Sequence, residues 1–489
     1  MIIRWVSEDG KRKWLYPIEK DIYSHGKIIK QVSHKAKIIG ITKVNIPSPL
    51  HPIIPYYVML LEDEYGNRLP KKTMKSRKIG DVYEIKPATS NGAVIITKIK
   101  YDINAYLKES LNLLNSYDLN DDDKILIKPS IIEPAHPYQS VNTNPKILDA
   151  IICHLKEKGV KDIIVAEQSM LGNDTIASSK KAGILDVCKK HDVQFVDLSK
   201  SNFIEKIHDD FKFNIAKEVL ERKIINVPVM KTHTQIGISG AMENMIRVVD
   251  EKTQKEMYTH DIEKTLPKLI KTLPGFLSIG DTTIGMHGNG PTYLGEPAFL
   301  NMIFVSKDPV ALDTVFTEIG IFEMPNYIKI AGIIGAGNNI TKDIEIVGDE
   351  LEASKFHLKI PEKNISAHPN IELIDGKANP YIFNSALKST AKLVGLLGSK
   401  MQLVIGSHFT EDMVKGKNRL VAYGNDAIKK IKDLGLNVVA EIPDDIDDIE
   451  KLMLIKSILE NPDKTKLDAK DKLFSKIGKI GTKLKQSLN

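Results

Sequence analysis

Cysteine is nearly absent from this chain: 489 residues contain two, Cys153 and Cys188. A disulfide framework, a four-cysteine zinc site and an all-cysteine iron–sulfur cluster are thereby excluded. Sparse free thiols suit a reducing, cytoplasmic setting. Long apolar runs are also missing, and no stretch approaches the ~18 residues of a spanning helix. The start lacks a secretory pattern, because Met1–Val6 is followed by Ser7, Glu8, Asp9, Gly10 and three basic residues. Internal repeats, low-complexity tracts and the HExxH, GxSxG and zinc-deaminase signatures are absent too.

Charge of one sign is in small excess, 69 Lys+Arg against 63 Asp+Glu, net +6. That excess comes from the ends. Residues 1–40 hold nine basic and four acidic side chains, and residues 462–489 hold eight and three, leaving the body at −4. Composition is otherwise that of a globular protein, with 42% hydrophobic and 27% charged residues. The length predicts about three domains.

The first hundred residues read as short strands: Lys37 to Val44, Tyr56 to Leu61, Asp81 to Ile85 and Ala93 to Ile99. Pro/Gly/Asn turns separate them, which predicts a small β-barrel over 1–100. Residues 101–350 alternate buried strands and helices, predicting a parallel, Rossmann-like α/β core. Its strands include Lys124 to Lys128, Asp162 to Ala166, Val193 to Leu198 and Lys223 to Met230. A second small α/β unit is expected over 375–461. Residues 462–489 form a basic amphipathic tail, with Leu473, Ile477, Ile480, Leu484 and Leu488 at helical spacing among lysines. The segment 472–488 suits peripheral contact with an anionic membrane or a partner groove, against the alternative of a solvated tail.

In open α/β sheets ligands bind beyond the carboxyl ends of the strands, so polar residues just after strands are the candidates. Lys128 and Ser130 follow the first core strand, with Glu133 and His136 behind them. Thr143 and Asn144 close that loop, and Asn144-Pro145 opens a helix. Lys231 and His233 follow the apolar run IINVPV; a lysine can bind an anion or act as a base when desolvated, and histidine carries protons or binds metals. Ser239 and Asn244 lie in the next turn. Asp281 ends a strand before the glycine-rich loop of Gly288 and Gly290. Asp308 is a natural helix cap, and Asp313 sits one turn further in. His260, with His233, Asp281 and Asp313, would complete a His/carboxylate constellation for acid–base work or a divalent metal. The alternatives are ordinary ones: a capped turn, a tight surface loop, a structural histidine.

The stretches ILIKPS, TNPKILDAIICHLKEKGVKDIIVAE, IINVPVMKTH, ISGAMEN, IGMHGNGP and DPVALD occur in this order over about residues 122–340. Together they resemble the domain of unknown function 362 family, a prokaryotic α/β family. Many of its members carry ferredoxin-type cysteine motifs, which this chain lacks. The resemblance implies Asn where Ser130 stands, Lys where Glu243 stands and often Gly where Arg247 stands. A Lys231–Glu243 ion pair is one reading of the second departure. The family is similar to lactate-racemase-like proteins only in α/β layout. The run KIIGITKVNIPSPLHPIIPYYVMLLEDEYGNRL, followed by RKIGDVYEI, resembles the OB-fold part of the domain of unknown function 35 family. That resemblance implies acyl-CoA handling or docking to a thiolase-type enzyme, without the zinc ribbon that precedes such barrels.

The residues therefore predict an enzyme or enzyme subunit binding a small carboxylate- or acyl-bearing ligand. Lys231, His233, His260 and Asp281 would do the acid–base work. Lys128, Ser130, Thr143, Asn144, Ser239, Asn244, Gly288, Gly290 and Asp313 would line the site. A divalent metal is compatible with this set, and no other cofactor is indicated. A non-catalytic scaffold is the alternative, and an OB-type nucleic-acid binder ranks below both.

Overall fold

A computed structural model describes residues 1–49, 51–114, 119–362, 367–396, 398–446 and 448–461. The chain divides into two compact units. The first comprises 1–169, 173–250 and 266–361; the second comprises 170–172, 251–265 and the chain from 362 onward. The amphipathic tail expected at 472–488 lies outside the described residues. Among those residues no helix is long and apolar enough to cross a membrane.

The first unit is built on an eleven-stranded, mostly parallel sheet. Across it run Gln194–Asp197, Asp162–Glu167, Lys124–Pro129, Lys223–Val227 and Phe276–Gly288, all parallel. Met302–Ser306 then pairs antiparallel with Phe276–Gly288 and with Val94–Lys98, and Ile346–Gly348 closes the edge. From Lys124–Pro129 the chain builds outward to Gln194–Asp197, then returns to build the other way from Lys223–Val227. The strand order therefore reverses between these two neighbours, which is where doubly wound sheets open a crevice.

Local sequence accounts for these elements. Ile125, Leu126, Ile127, Val165 and Ala166 are buried, as continuous apolar runs covered on both faces should be. Ile125 and Ile127 pack with Leu107 and Leu111 of the helix Ile103–Leu113 and with Ile147 and Ile151 of Pro145–Glu157. The latter helix starts where expected: the Asn144 side chain accepts from the Lys146 N–H, with proline at the first position. Asp308 caps Pro309–Gly320 in the same way, accepting from Val310 and Ala311.

Several expected elements differ. The run Lys223 to Met230 is two strands, Lys223–Val227 and Val229–His233, because Pro228 has no N–H for the ladder. The sequence from Ile176 to Lys190 reads as one helix, but two form, Thr175–Lys181 and Ile184–Lys190, broken at Gly183 with φ 76°. Val94–Lys98, expected in the N-terminal barrel, is a strand of the large sheet. Val94, Ile95 and Ile96 are fully buried without alternation, so they fit a sheet covered on both faces. The rest of the N-terminal segment forms two small antiparallel sheets. One joins Lys13–Trp14, Ile2–Ser7 and Ile28–Ser33; the other joins Arg68–Thr73, Tyr56–Glu62, Lys35–Val44 and Val82–Glu84.

The second unit carries a four-stranded parallel sheet in chain order: Ile371–Gly376, Met401–Gly406, Leu420–Tyr423 and Ala440–Ile442. The helices Pro380–Ala391, Asn425–Asp433 and Asp448–Glu460 accompany it.

Candidate functional site

The reversal of strand order in the large sheet gathers a closed group of polar and ionisable side chains. Lys128 and Asn226 sit on the two adjoining strands, Glu167 ends the next strand, and Lys231 and His233 lie on the extension beyond Pro228. All five are buried. The extension is held by antiparallel pairing with Gly237–Ser239 on one side and by Phe276–Gly288 on the other, so Lys231, Thr232 and His233 are enclosed. The turn after Ser239 becomes the short 3-10 helix Glu243–Val248, which brings Glu243, Asn244 and Arg247 over the strand ends.

The contacts are specific. Lys128 Nζ lies 2.8 Å from Glu167 Oε2 with both side chains fully buried. The Arg247 guanidinium stands between two carboxylates, 3.6 Å from Glu167 Oε1 and 3.5 Å from Glu243 Oε1, and donates to Asn244 Oδ1 at 2.9 Å. Its buried Nε has no hydrogen-bond acceptor. Ser239 Oγ donates to Glu243 Oε2 at 2.5 Å. Asn244 donates to Asn226 Oδ1 at 2.7 Å, and Asn226 to the Ala241 carbonyl at 2.8 Å. Lys231 Nζ donates to the Val141 carbonyl at 2.6 Å. The expected Lys231–Glu243 ion pair is not formed; Glu243 is engaged by Arg247 and Ser239 instead, because these reach it from its own turn.

The loop after Lys128 is tied to the same place. Thr143 Oγ1 accepts the Ser130 N–H at 2.7 Å and donates to the Val227 carbonyl at 2.7 Å. The Asn144 N–H donates to Asp281 Oδ2 at 2.9 Å, and Thr283 donates to Asp281 Oδ1 from both N–H and hydroxyl. Asp313 accepts from the N–H groups of Ala241 at 2.6 Å and Met242 at 3.0 Å. Gly240 permits this approach, since a Cβ there would lie 2.1 Å from Asp313 Oδ1.

Burial dominates the electrostatics. It pulls the Lys231 ammonium down to about 7, with Glu243 opposing. It pulls Lys128 down to about 8 despite Glu167, and His233 down to about 4. It pushes Asp313 up to about 7 despite its two backbone donors, and raises Asp281. Glu243 goes the other way: burial disfavours its charge, but Arg247, His233 and Ser239 outweigh it. A lysine near neutrality beside charged carboxylates can take or give a proton at physiological pH.

Of the residues singled out from sequence, Lys128, Ser130, Thr143, Asn144, Lys231, His233, Ser239, Asn244, Asp281 and Asp313 fall within this network of the first unit. His260 does not. It is an exposed residue of the second unit, following the helix Glu251–Thr259, with Nδ1 on the Glu256 carbonyl at 3.0 Å. Its place at a helix end is that of a solvent-facing residue. Gly288 and Gly290 are packing positions. Thr232 Oγ1 donates to the Gly288 carbonyl at 2.8 Å, and a Cβ at Gly290 would meet the Thr232 carbonyl at 2.4 Å. Sequence reasoning missed Glu167, Arg247 and Asn226. Glu167 closes an apolar strand just as Lys128 does, which was a usable signal, and Glu243 and Arg247 stand four apart, at ion-pair spacing.

Asp281 and Asp313 use both carboxylate oxygens on N–H and hydroxyl donors, which leaves them poorly disposed to ligate a divalent metal. Elsewhere, Asp149, Cys153 and His191 bring ligand atoms within 4.8 Å of one another. The Lys190 ammonium sits 2.6 Å from the same Asp149 oxygen that His191 contacts, so a cation there would meet a fixed positive charge.

Fold and site together define an α/β protein with an enclosed ionisable cluster at the reversal of a mostly parallel sheet. Residues 125–318, which hold that cluster, match the family model described as a domain of unknown function (DUF362), and this stretch is a DUF362 domain. No curated protein and no solved structure matches the chain.

Proposed function

We propose that the DUF362 segment is the catalytic domain of an enzyme, or of an enzyme subunit, that binds a small carboxylate- or acyl-bearing ligand at the sheet reversal of a Rossmann-like core. Lys231 is its acid–base group, His233 and Asp281 assist it, and Lys128 and Arg247 supply positive charge. The N-terminal sheets act in this reading as an OB-like module that docks acyl-CoA or a thiolase-type partner, in a cytoplasmic protein. One observation carries it: Lys128, Glu167, Lys231, His233, Glu243 and Arg247 are all buried at the carboxyl ends of adjoining strands. Burying so many charges costs several kcal/mol per unpaired ion and is a poor way to gain stability. Such clusters gather where chemistry needs shifted proton affinities.

The test is thermal stabilisation of the full chain by a panel of small carboxylates and acyl thioesters. At least one compound should raise the melting temperature of the parent, and Lys231→Met and His233→Ala should abolish that rise. A rise that survives both changes refutes the assignment. A non-catalytic, partner-binding role is the second reading. It is favoured by the internal pairing of Lys128 with Glu167 and of Arg247 with Glu243, which leaves these charges already satisfied. It predicts no rise with any member of the panel.

A further inference from the structure

A cavity lies in the first unit, lined by none of the residues of the strand-end cluster and different from it in chemistry. It encloses about 360 Å³ between the strands Tyr56–Glu62 and Arg68–Thr73, the strand Val94–Lys98 and the turn at Gly348-Asp349. That is within the size range of small-ligand pockets. Its walls are apolar, from Val58, Leu69, Ile85 and Ile96, with the rings of Tyr56 and Tyr106 among them. Around this apolar body stand four lysines: Lys71, Lys72, Lys98 and Lys100.

The charges are unbalanced. Asp349 is the one carboxylate among the lining residues, and it is engaged by the Lys71 ammonium and, at 2.8 Å, by the Lys98 backbone N–H. Glu350, its neighbour, is turned to the Thr73 hydroxyl and the Met74 N–H. Among the described residues Lys72, Lys98 and Lys100 form no ion pair. Lys72 lies over the Tyr56 ring at 4.9 Å and Lys98 over Phe356 at 5.6 Å, while Lys100 donates to the Pro70 carbonyl at 3.2 Å. His51 also lines the cavity, its ring 5.5 Å from that of Tyr56, and its buried Nδ1 has no hydrogen-bond partner. Burial and the neighbouring Lys98 pull the Lys72 ammonium down to about 8. Gathering unpaired cations around an apolar cavity works against folding, and an anion placed among them reverses that cost.

We infer that this cavity is a binding site for a small phosphate ester, with the phosphate dianion held by Lys72, Lys98 and His51 and an apolar or aromatic body held against Tyr56 and Tyr106. Four ammonium groups against one carboxylate suit a dianion better than a carboxylate, and lysines bind phosphate as mobile point charges. The inference does not rest on the role proposed for Lys231.

The probe is phenyl phosphate, titrated into the full chain by calorimetry at low salt, with phenol and inorganic phosphate as controls. Saturable binding is expected, tighter than for either control and weakened by added salt. The variant Lys72→Gln/Lys98→Gln should lose about tenfold or more in affinity, equivalent to roughly 1.4 kcal/mol. Its melting temperature without ligand should equal or exceed that of the parent, since it removes unpaired cations. Lys231→Met should bind as the parent does. Absence of saturable binding by the parent overturns the proposal, and so does unchanged affinity in the double variant. Binding lost in Lys231→Met but kept in the double variant overturns it as well, because the ester would then occupy the strand-end cluster.

Discussion

Replacing Lys231 by Met removes a fully buried ammonium that donates to the Val141 carbonyl at 2.6 Å. Burial holds this ammonium at a pKa of about 7, against the ordinary 10.5. Between those values the unfolded chain binds a proton that the folded chain does not. Stability therefore rises with pH across this window, by up to about 1.4 kcal/mol per pH unit for one proton. Below pH 7 both states are protonated and the full penalty of the buried charge is present; above 10.5 neither is, and the penalty has gone. Methionine cannot titrate, so the variant lacks this slope. Losing the bond to Val141 leaves a buried carbonyl unpaired, an offset of about 1–3 kcal/mol that does not depend on pH. The stability of the variant minus that of the parent should thus be most favourable near pH 7 and fall by several kcal/mol toward pH 10. Asp313, pushed up to about 7, gives the opposite slope between its ordinary 3.8 and 7, so the measurement belongs above about pH 7.5. Lys128, pulled down to about 8, titrates in both chains and largely cancels in the difference. Urea unfolding of parent and variant at half-unit steps from about pH 7.5 to 10 reads the effect. Parallel profiles would refute the assignment of a neutral, buried Lys231.

Two further substitutions probe the same cluster. Gly240→Ala places a methyl group 2.1 Å from Asp313 Oδ1 and must push that carboxylate off the Ala241 and Met242 N–H groups. A loss of about 2–5 kcal/mol in chemical denaturation is expected, and a change below about 0.5 kcal/mol would show that Asp313 does not hold this turn. Glu167→Gln leaves the buried Lys128 without its carboxylate. It should cost about 3–5 kcal/mol near pH 7. The loss should shrink toward pH 9, because Lys128 sheds its proton more readily once Glu167 is gone; a loss independent of pH would count against the buried pair.

Much of this organisation is legible in the sequence, and the reason differs from part to part. The caps Asn144 and Asp308 are local chemistry, fixed by a polar residue followed by proline, and both helices start there. Lys128 and Lys231 are visible because each interrupts an apolar strand at its carboxyl end. Glu167 has the same signature, but its partner lies 39 positions away in the chain, and no spacing rule joins them. Val94–Lys98 has the composition of a barrel strand, and its pairing with Met302–Ser306 and Ile346–Gly348, together with the full burial of Val94, Ile95 and Ile96, places it in the large sheet. His260 has the right chemistry and the wrong place. A histidine's type says what it can do, while the convergence of distant segments depends on how the chain is wound.

The helix that crosses the strand ends shows how such convergence alters a local reading. Taken singly, Glu243 reverses the positive charge that the family resemblance implies, and Arg247 fills a position where that resemblance implies glycine. Folded, the two meet as an i,i+4 pair, with Arg247 also 3.6 Å from Glu167. A cation thus stands one turn along the helix from Glu243, and the Glu243 carboxylate lies where it acts electrostatically on both Lys231 and His233. In the proposed reading an anionic ligand entering here would meet Glu243 as well as Arg247, so protonated Lys231 would add to the positive charge of Lys128 and Arg247. With its pKa near 7, ligand binding and proton uptake at Lys231 would be linked in that reading, because part of the charge holding the ligand is one the proton supplies. Glu243 thus does more than cancel a charge, since it raises the proton affinity of Lys231 that burial would otherwise push lower still.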